Sequence, residues 1–197
     1  MVIEMGLSGF AAVVLAGGQG SRLGGTDKAS IEIDGRTLLD HALDAVIDAS
    51  EVVVAGHQVP TERPVTFVRE EPRFGGPAAG LLTARDVLLR RFPTLAVLAV
   101  DMPRLTAGTF RRLHEAGVGH DGAILTDADG RRQLAFVVDT GRLDAVRPDH
   151  EGQHGLSIRA LLAPLDLVEV APIGDEGRDI DTWTDLRDAA GEAPPWP

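Results

Sequence analysis

Short apolar runs recur along this chain with helix-length amphipathic stretches between them, and few folds accommodate that alternation. Residues 10–16, 51–55, 65–68, 95–100 and 122–125 read as buried strands. Between the first two, residues 38–49 place Leu38, Leu39, Ala42, Leu43, Val46 and Ile47 on one helical face. Residues 78–92 and 106–116 behave similarly, with Thr106 as an N-cap. Such alternation builds a parallel sheet covered by helices on both faces. The pattern then changes: residues 133–138 read as a strand preceded only by the turn Asp127-Ala128-Asp129-Gly130. That pair is a hairpin, so one strand runs against its neighbours. The expected fold is α/β, a Rossmann-like three-layer sandwich around a mostly parallel mixed sheet.

Nothing in the composition divides the chain. Its 197 residues suit one domain over 1–190, with 191–197 a loose tail whose three prolines deny it helix or ladder bonds. There are no cysteines, which excludes disulfides and thiolate metal sites. No run approaches the roughly 20 apolar residues of a membrane helix, and the start, Met1-Val2-Ile3-Glu4-Met5, lacks the basic region of a signal peptide. The expected location is cytoplasmic. A net charge of −11 repels nucleic-acid backbones and anionic lipid, so neither nucleic acid nor membrane is an expected partner. A small phosphorylated substrate is not excluded, because a few inward N–H groups and cations suffice to bind it.

The first strand runs into Leu15-Ala16-Gly17-Gly18-Gln19-Gly20-Ser21-Arg22-Leu23-Gly24-Gly25-Thr26-Asp27-Lys28, with five glycines in nine residues. Ligands of open α/β sheets sit at this edge, and glycines let backbone N–H groups approach an anion closely. Arg22 and Lys28 add charge around the turn, and Arg22 can grip a phosphate bidentately. A Walker loop fails on spacing: after Gly20-x4-Gly25 the lysine comes two places late, with no Ser or Thr following it. A dinucleotide fingerprint fails too, because the glycine after Gly18-x-Gly20 waits until position 24 and the second strand ends in Ala55-Gly56 rather than an acid.

The ordered series Leu-Ala-Gly-Gly-x-Gly-x-Arg-Leu-Gly-Gly-x-Asp-Lys resembles the signature loop of nucleotidyltransferases that activate small phosphates. It is most similar to the molybdenum cofactor guanylyltransferases (MobA-like). Further stretches carry the resemblance: Ile33 to Leu39, Arg69 to Gly80, Leu98 to Pro103, His154 to Leu162 and Asp179 to Leu186. It implies a nucleotide-diphospho-sugar transferase-like fold and Mg²⁺-dependent transfer of GMP from GTP to molybdopterin, with release of pyrophosphate. The implied partners are GTP, molybdopterin and proteins of molybdenum insertion or molybdoenzyme maturation. A cytidylyltransferase, or another nucleotidyltransferase acting on molybdopterin or another small phosphate, is the alternative within the class. A noncatalytic nucleotide-binding regulator is the alternative outside it, and retention of Lys28 with Asp101 argues against that.

The attacking phosphate monoester is already anionic at pH 7, so charge neutralisation and positioning are what the protein must supply. Lys28, Arg22 and Asp101 are the expected catalytic groups. Asp101 ends a buried strand at the cleft edge, where a carboxylate can hold Mg²⁺ without being desolvated. Asp179 and Asp181 alternate on an extended segment, so they share a side; Asp181 is either a second Mg²⁺ ligand or a cap. Nucleotide binding is expected from Leu15, Ala16, Gly17, Gly18, Gly20, Lys28, Gly76, Pro77, Gly80 and Asp101. Glu70 or Glu71 offers a carboxylate for the donor edge of guanine, and Glu70 is the choice. On the acceptor side stand Gln133, His154, Arg159 and Asp179. Read alone, His154 is a solvated or capping residue; the resemblance implies contact with the acceptor.

Overall fold

A computed structural model describes residues 9–17, 27–180, 182 and 184–186. The first strand, β1 (Ala11–Leu15), is followed after the loop by a 3₁₀ turn at Lys28–Ser30 and a small hairpin, β2 (Glu32–Ile33) and β3 (Arg36–Thr37). Then come α1 (Leu38–Ala45), β4 (Glu51–Ala55), β5 (Thr66–Val68), α2 (Pro77–Asp86), β6 (Thr94–Ala99) and α3 (Ala107–Ala116). The remaining elements are β7 (Gly122–Thr126), β8 (Arg132–Asp139), α4 (Thr140–Val146), a 3₁₀ turn at Glu151–Gln153, α5 (Ile158–Leu162) and β9 (Leu167–Val170).

Seven strands form one sheet in the order β5-β4-β1-β6-β8-β7-β9. β1 pairs parallel to β4 and β6, with Val13 opposite both Val53 and Val97. β8 runs antiparallel to β6 on one side and β7 on the other, while β7 and β9 are parallel. The expected hairpin therefore exists, and its second strand inserts between β6 and β7. β8 is the one reversed strand, so its amino end lies on the edge where the other strands have their carboxyl ends. That brings Arg132 and Gln133 to the same edge as Asp101.

Alternating side chains feed two apolar layers. Ala12, Val14, Ala96, Leu98, Ala135 and Val137 pack under α1 and α3. Ala11, Val13, Val97, Ile124, Phe136 and Val138 pack under α2, α4 and α5. The result is the expected three-layer sandwich with a mixed, mostly parallel sheet. Gly122 permits the close pairing of β7 with β8: its φ is +154, and a Cβ there would collide with the Val137 carbonyl.

Two helices are shorter than their periodicity suggests. α1 ends at Ala45 because Arg63 donates to the carbonyls of Leu43, Val46 and Ala49, satisfying the chain end with a guanidinium instead of more helix. Ile47 consequently leaves the apolar face and is exposed. α2 ends at Asp86; Leu89 is exposed, its N–H bonded to Glu51, and Pro93 disfavours helix at Phe92. The short α4, α5 and β9 had no signal long enough to register in the periodicity. No helix among the described residues is long and apolar enough to cross a membrane.

Candidate active site

The site begins where β1 ends. Leu15 and Ala16 still belong to the sheet: Val100 N donates to Leu15 O (3.0 Å) and Ala16 N to Ala55 O (2.9 Å). Gly56 makes this close approach possible, since a Cβ there would stand 2.9 Å from the Ala16 Cβ. A glycine, and not an acid, ends the second strand for that steric reason. Gly17 is exposed, and a Cβ on it would lie 3.5 Å from both Ala55 O and Glu70 Oε2. The Glu70 carboxylate thus faces the start of the glycine loop. Glu71 instead exchanges backbone bonds with the Thr83 hydroxyl. Gly18, Gly20 and Arg22 lie outside the described residues.

Asp27 caps the 3₁₀ turn that presents Lys28, accepting from Ala29 N at 3.1 Å. From there Lys28 Nζ reaches across the edge to Asp101 Oδ2 at 2.7 Å and toward Ile180 O at 3.4 Å. Ile180 N in turn donates to Asp101 O at 2.8 Å. Three segments far apart in sequence meet at one junction, and the two charged side chains are 23% and 21% exposed. A charge-assisted bond of this length is stronger than a neutral one, yet partial exposure keeps it within reach of a competing anion or cation.

Asp101 fits the demands of Mg²⁺, because it offers hard carboxylate oxygens at an accessible strand end. Among the described residues no three His, Asp or Glu side chains gather as a metal cluster. Mg²⁺ characteristically uses one or two carboxylates together with substrate phosphate, so a single such residue is compatible with it. Asp181 lies outside the described residues. Thr182 caps the turn beginning at Thr184 by a reciprocal pair of bonds with Asp185.

α2 opens at Gly76, whose φ of +88 favours glycine, with Pro77 in the first turn and no side-chain cap. Gly80 packs onto Ala55 and Leu15, seating the helix beside the end of β1. Gly155 N donates to Gly75 O at 3.0 Å, bringing the His154 segment against this helix start. His154 itself is exposed.

Gln133 and Arg159 meet elsewhere. Both line a cavity of about 720 Å³ between α5 and the β7–β8–β9 part of the sheet. Arg131 and Arg132 share its wall, and Ile124, Leu134 and Leu162 its apolar lining. Gln133 Nε2 donates to Asp127 Oδ2 at 3.0 Å, and Arg132 pairs with Glu169 at 2.9 Å. The four acceptor-side candidates are therefore split: Gln133 and Arg159 share the cavity, His154 sits at the α2 start, and exposed Asp179 adjoins the Lys28–Asp101 junction. Asp179 was among the sequence candidates, but the Ile180 carbonyl was not, because a backbone group leaves no residue-type signal.

A family model, the MobA-like NTP transferase domain, matches residues 12–170. The chain belongs to the MobA-like NTP transferase family. A molybdenum cofactor guanylyltransferase of Mesorhizobium japonicum is 33% identical, over 70% of this chain and 71% of that protein. Another, from a Shewanella species, is 30% identical over 64% of this chain and 66% of its own length. The chain thus spans slightly less than two thirds of that relative. Among solved structures, molybdopterin-guanine dinucleotide biosynthesis protein A of Archaeoglobus fulgidus superposes with a TM-score of 0.70 at 21% identity, covering 92% of this chain and 97% of that one. A Mycobacterium tuberculosis protein crystallised with manganese gives 0.67 at 21% identity, covering 94% and 99%. Both show the fold of this MobA-like chain.

Proposed function

We propose that this MobA-like chain transfers GMP from GTP to the terminal phosphate of molybdopterin and releases pyrophosphate. The observation that carries the reading is the junction of Lys28, Asp101 and Ile180 at the edge where the glycine loop begins. A phosphate oxygen of the acceptor attacks the α-phosphorus of GTP; the new P–O bond forms as the bond to the β-phosphate oxygen breaks. No general base is needed, since the monoester is ionised at neutral pH. Lys28 neutralises phosphate charge, and Arg22 supplies a second cation. Asp101 would hold Mg²⁺, with Asp181 as its second carboxylate; when bound, the ion supplies charge neutralisation to the triphosphate.

Glu70, beside Gly17, accepts from the N1–H and N2–H₂ groups of guanine, a pattern cytosine does not present. Leu15, Ala16, Gly17, Gly18 and Gly20, with the α2 start at Gly76, Pro77 and Gly80, frame the nucleotide. Gln133 and Arg159 hold the acceptor through the cavity they share, whose apolar lining and arginine wall suit an anionic ligand with a flat organic body. Asp179, next to Ile180, and His154, in the segment against the α2 start, are the further acceptor-side groups. Maturation proteins that deliver or receive the acceptor are its expected partners.

The test is pyrophosphate release from purified protein with Mg²⁺, molybdopterin and each nucleoside triphosphate in turn. Preference for GTP supports the proposal; a clear preference for CTP would replace it with cytidylyl transfer. Nucleotide binding without any turnover would favour a regulator.

A further inference from the structure

After β9 the chain returns across the carboxyl edge of the sheet as a strap, residues 171–180. Its middle is fixed by one buried side chain, Glu176, which is 7% exposed. Glu176 Oε1 accepts from Thr109 Oγ1 (2.6 Å) and Arg112 Nη1 (3.1 Å). Its Oε2 accepts from Arg112 Nη2 (2.6 Å) and from the N–H of Ile173 in its own strap (2.8 Å). Thr109 is also half of the capping box with Thr106 that starts α3, directly after the loop descending from Asp101. One carboxylate therefore ties the strap to the helix that terminates the Asp101 loop.

The strap is closely fitted on either side of this anchor. Gly177 lies so near β7 that a Cβ would stand 3.1 Å from Thr126 O and 3.2 Å from the Cα of Asp127, whose carboxylate holds Gln133. Three residues later Ile180, 2% exposed, donates its N–H to the Asp101 carbonyl and accepts at its own carbonyl from Lys28 Nζ. The strap thus runs from the rim of the Gln133–Arg159 cavity to the Lys28–Asp101 pair. Burying a carboxylate is costly unless every lone pair is used, and here both oxygens are doubly engaged. A solvated acid would serve an ordinary surface loop.

We infer that Glu176 is a positioning residue: through Thr109 and Arg112 it sets the strap so that Ile180 and Asp179 meet the Lys28–Asp101 pair in the geometry that metal-dependent transfer requires. The inference rests on the proposed nucleotidyl transfer, and its test separates the two. Glu176→Gln keeps the shape but gives up the charged fork with Arg112 and sets an amide where an acceptor is needed. Two quantities are read: amide hydrogen exchange at Ile180, and the Mg²⁺ concentration giving half-maximal turnover. With circular dichroism unchanged, Ile180 exchange is expected to accelerate, the Mg²⁺ midpoint to rise about tenfold and kcat to fall about tenfold. KM for GTP should stay within about twofold, because the glycine loop is untouched. Thr109→Ser, which keeps the hydroxyl, should restore wild-type behaviour where Thr109→Val does not.

A folded Glu176→Gln protein with an unchanged Mg²⁺ midpoint and kcat overturns the inference, even if its melting temperature drops. Should that variant fail to fold, Arg112→Lys breaks the two-pronged contact while keeping a charge, and the same shifts, or their absence, decide. If wild-type protein shows no Mg²⁺-dependent turnover, the functional proposal falls; Ile180 exchange then judges the clamp alone, unchanged exchange overturning it.

Discussion

The two flanks of the sheet's carboxyl edge are built from different materials. Around β1 and β4 the candidate groups are mostly backbone: glycines let the strand ends approach, and among the described residues Glu70 faces Gly17 with a charge. Around β8, β7 and β9 they are side chains, with Arg131, Arg132, Gln133 and Arg159 around one cavity. β6 stands between, and its Asp101 is bonded to Lys28 from one flank and to Ile180 from the other. A phosphate that every substrate shares can be recognised by N–H groups, whereas an acceptor with its own shape needs particular side chains. On the proposed function, nucleotide and acceptor recognition can be broken separately, while Asp101 serves both.

The largest expected effect is therefore at the centre. Asp101→Ala should lower turnover by about 10³-fold or more for every nucleotide and acceptor, with the fold retained by circular dichroism. Loss confined to one substrate's KM would place Asp101 on one flank and break the comparison. Next, Arg159→Ala and Gln133→Leu should each reduce kcat/KM for the acceptor by about 10–100-fold, the worth of a charged or buried hydrogen bond. GTP affinity should move by less than about twofold, and a matching loss for GTP would show that the cavity is not a separate acceptor site. On the opposite flank, Glu70→Gln presents an amide donor to guanine's donor edge. The GTP-over-CTP preference should shrink about tenfold with acceptor KM unchanged; an unaltered preference removes Glu70 from base selection.

The same contrast decides what the sequence could show. The alternation of apolar runs and amphipathic stretches was enough for the layers, the hairpin and the Thr106 cap, because hydrophobic periodicity is a local property. The glycine spacing marked the flank proposed for the nucleotide, where the loop candidates are contiguous in sequence. The other flank draws Gln133 from β8, Arg159 from α5 and Ile180 from the strap, and no local pattern ties them together. His154 was grouped with Gln133 and Arg159 on the strength of the resemblance, but the fold sets it at the start of α2 instead. Nothing in the sequence singles out Glu176 in an acidic chain, and only the packing of the strap on α3 reveals it as buried. The short α5 and β9 escaped for the same reason: their existence depends on tertiary contacts more than on propensity.

The smallest effect concerns how the flanks are joined beneath the edge. His114 of α3 packs against Phe10, the residue that leads into β1, with ring centroids 4.5 Å apart. Its Nε2 has no hydrogen-bond partner among the described residues, and burial lowers its pKa from the ordinary 6.5. The unfolded chain therefore binds a proton more readily than the folded one. Folding stability is fully present above about pH 6.5 and declines as pH falls from there through the lower folded value. Glu176 acts further down: burial raises its pKa, but bonds from Arg112, Thr109 and the Ile173 N–H outweigh it, and the net shift is below 4.5. Its share is present above about pH 4.5 and is lost as pH drops through the folded value. His114→Phe keeps the ring against Phe10 and removes the buried nitrogen. Urea midpoints should then lose most of their slope just below about pH 6.5, with a gain in stability at the acid end. Because Glu176 is untouched, the steep loss below pH 4.5 should persist in the variant. A slope just below about pH 6.5 as steep as that of the wild type would assign this acid sensitivity to groups other than His114.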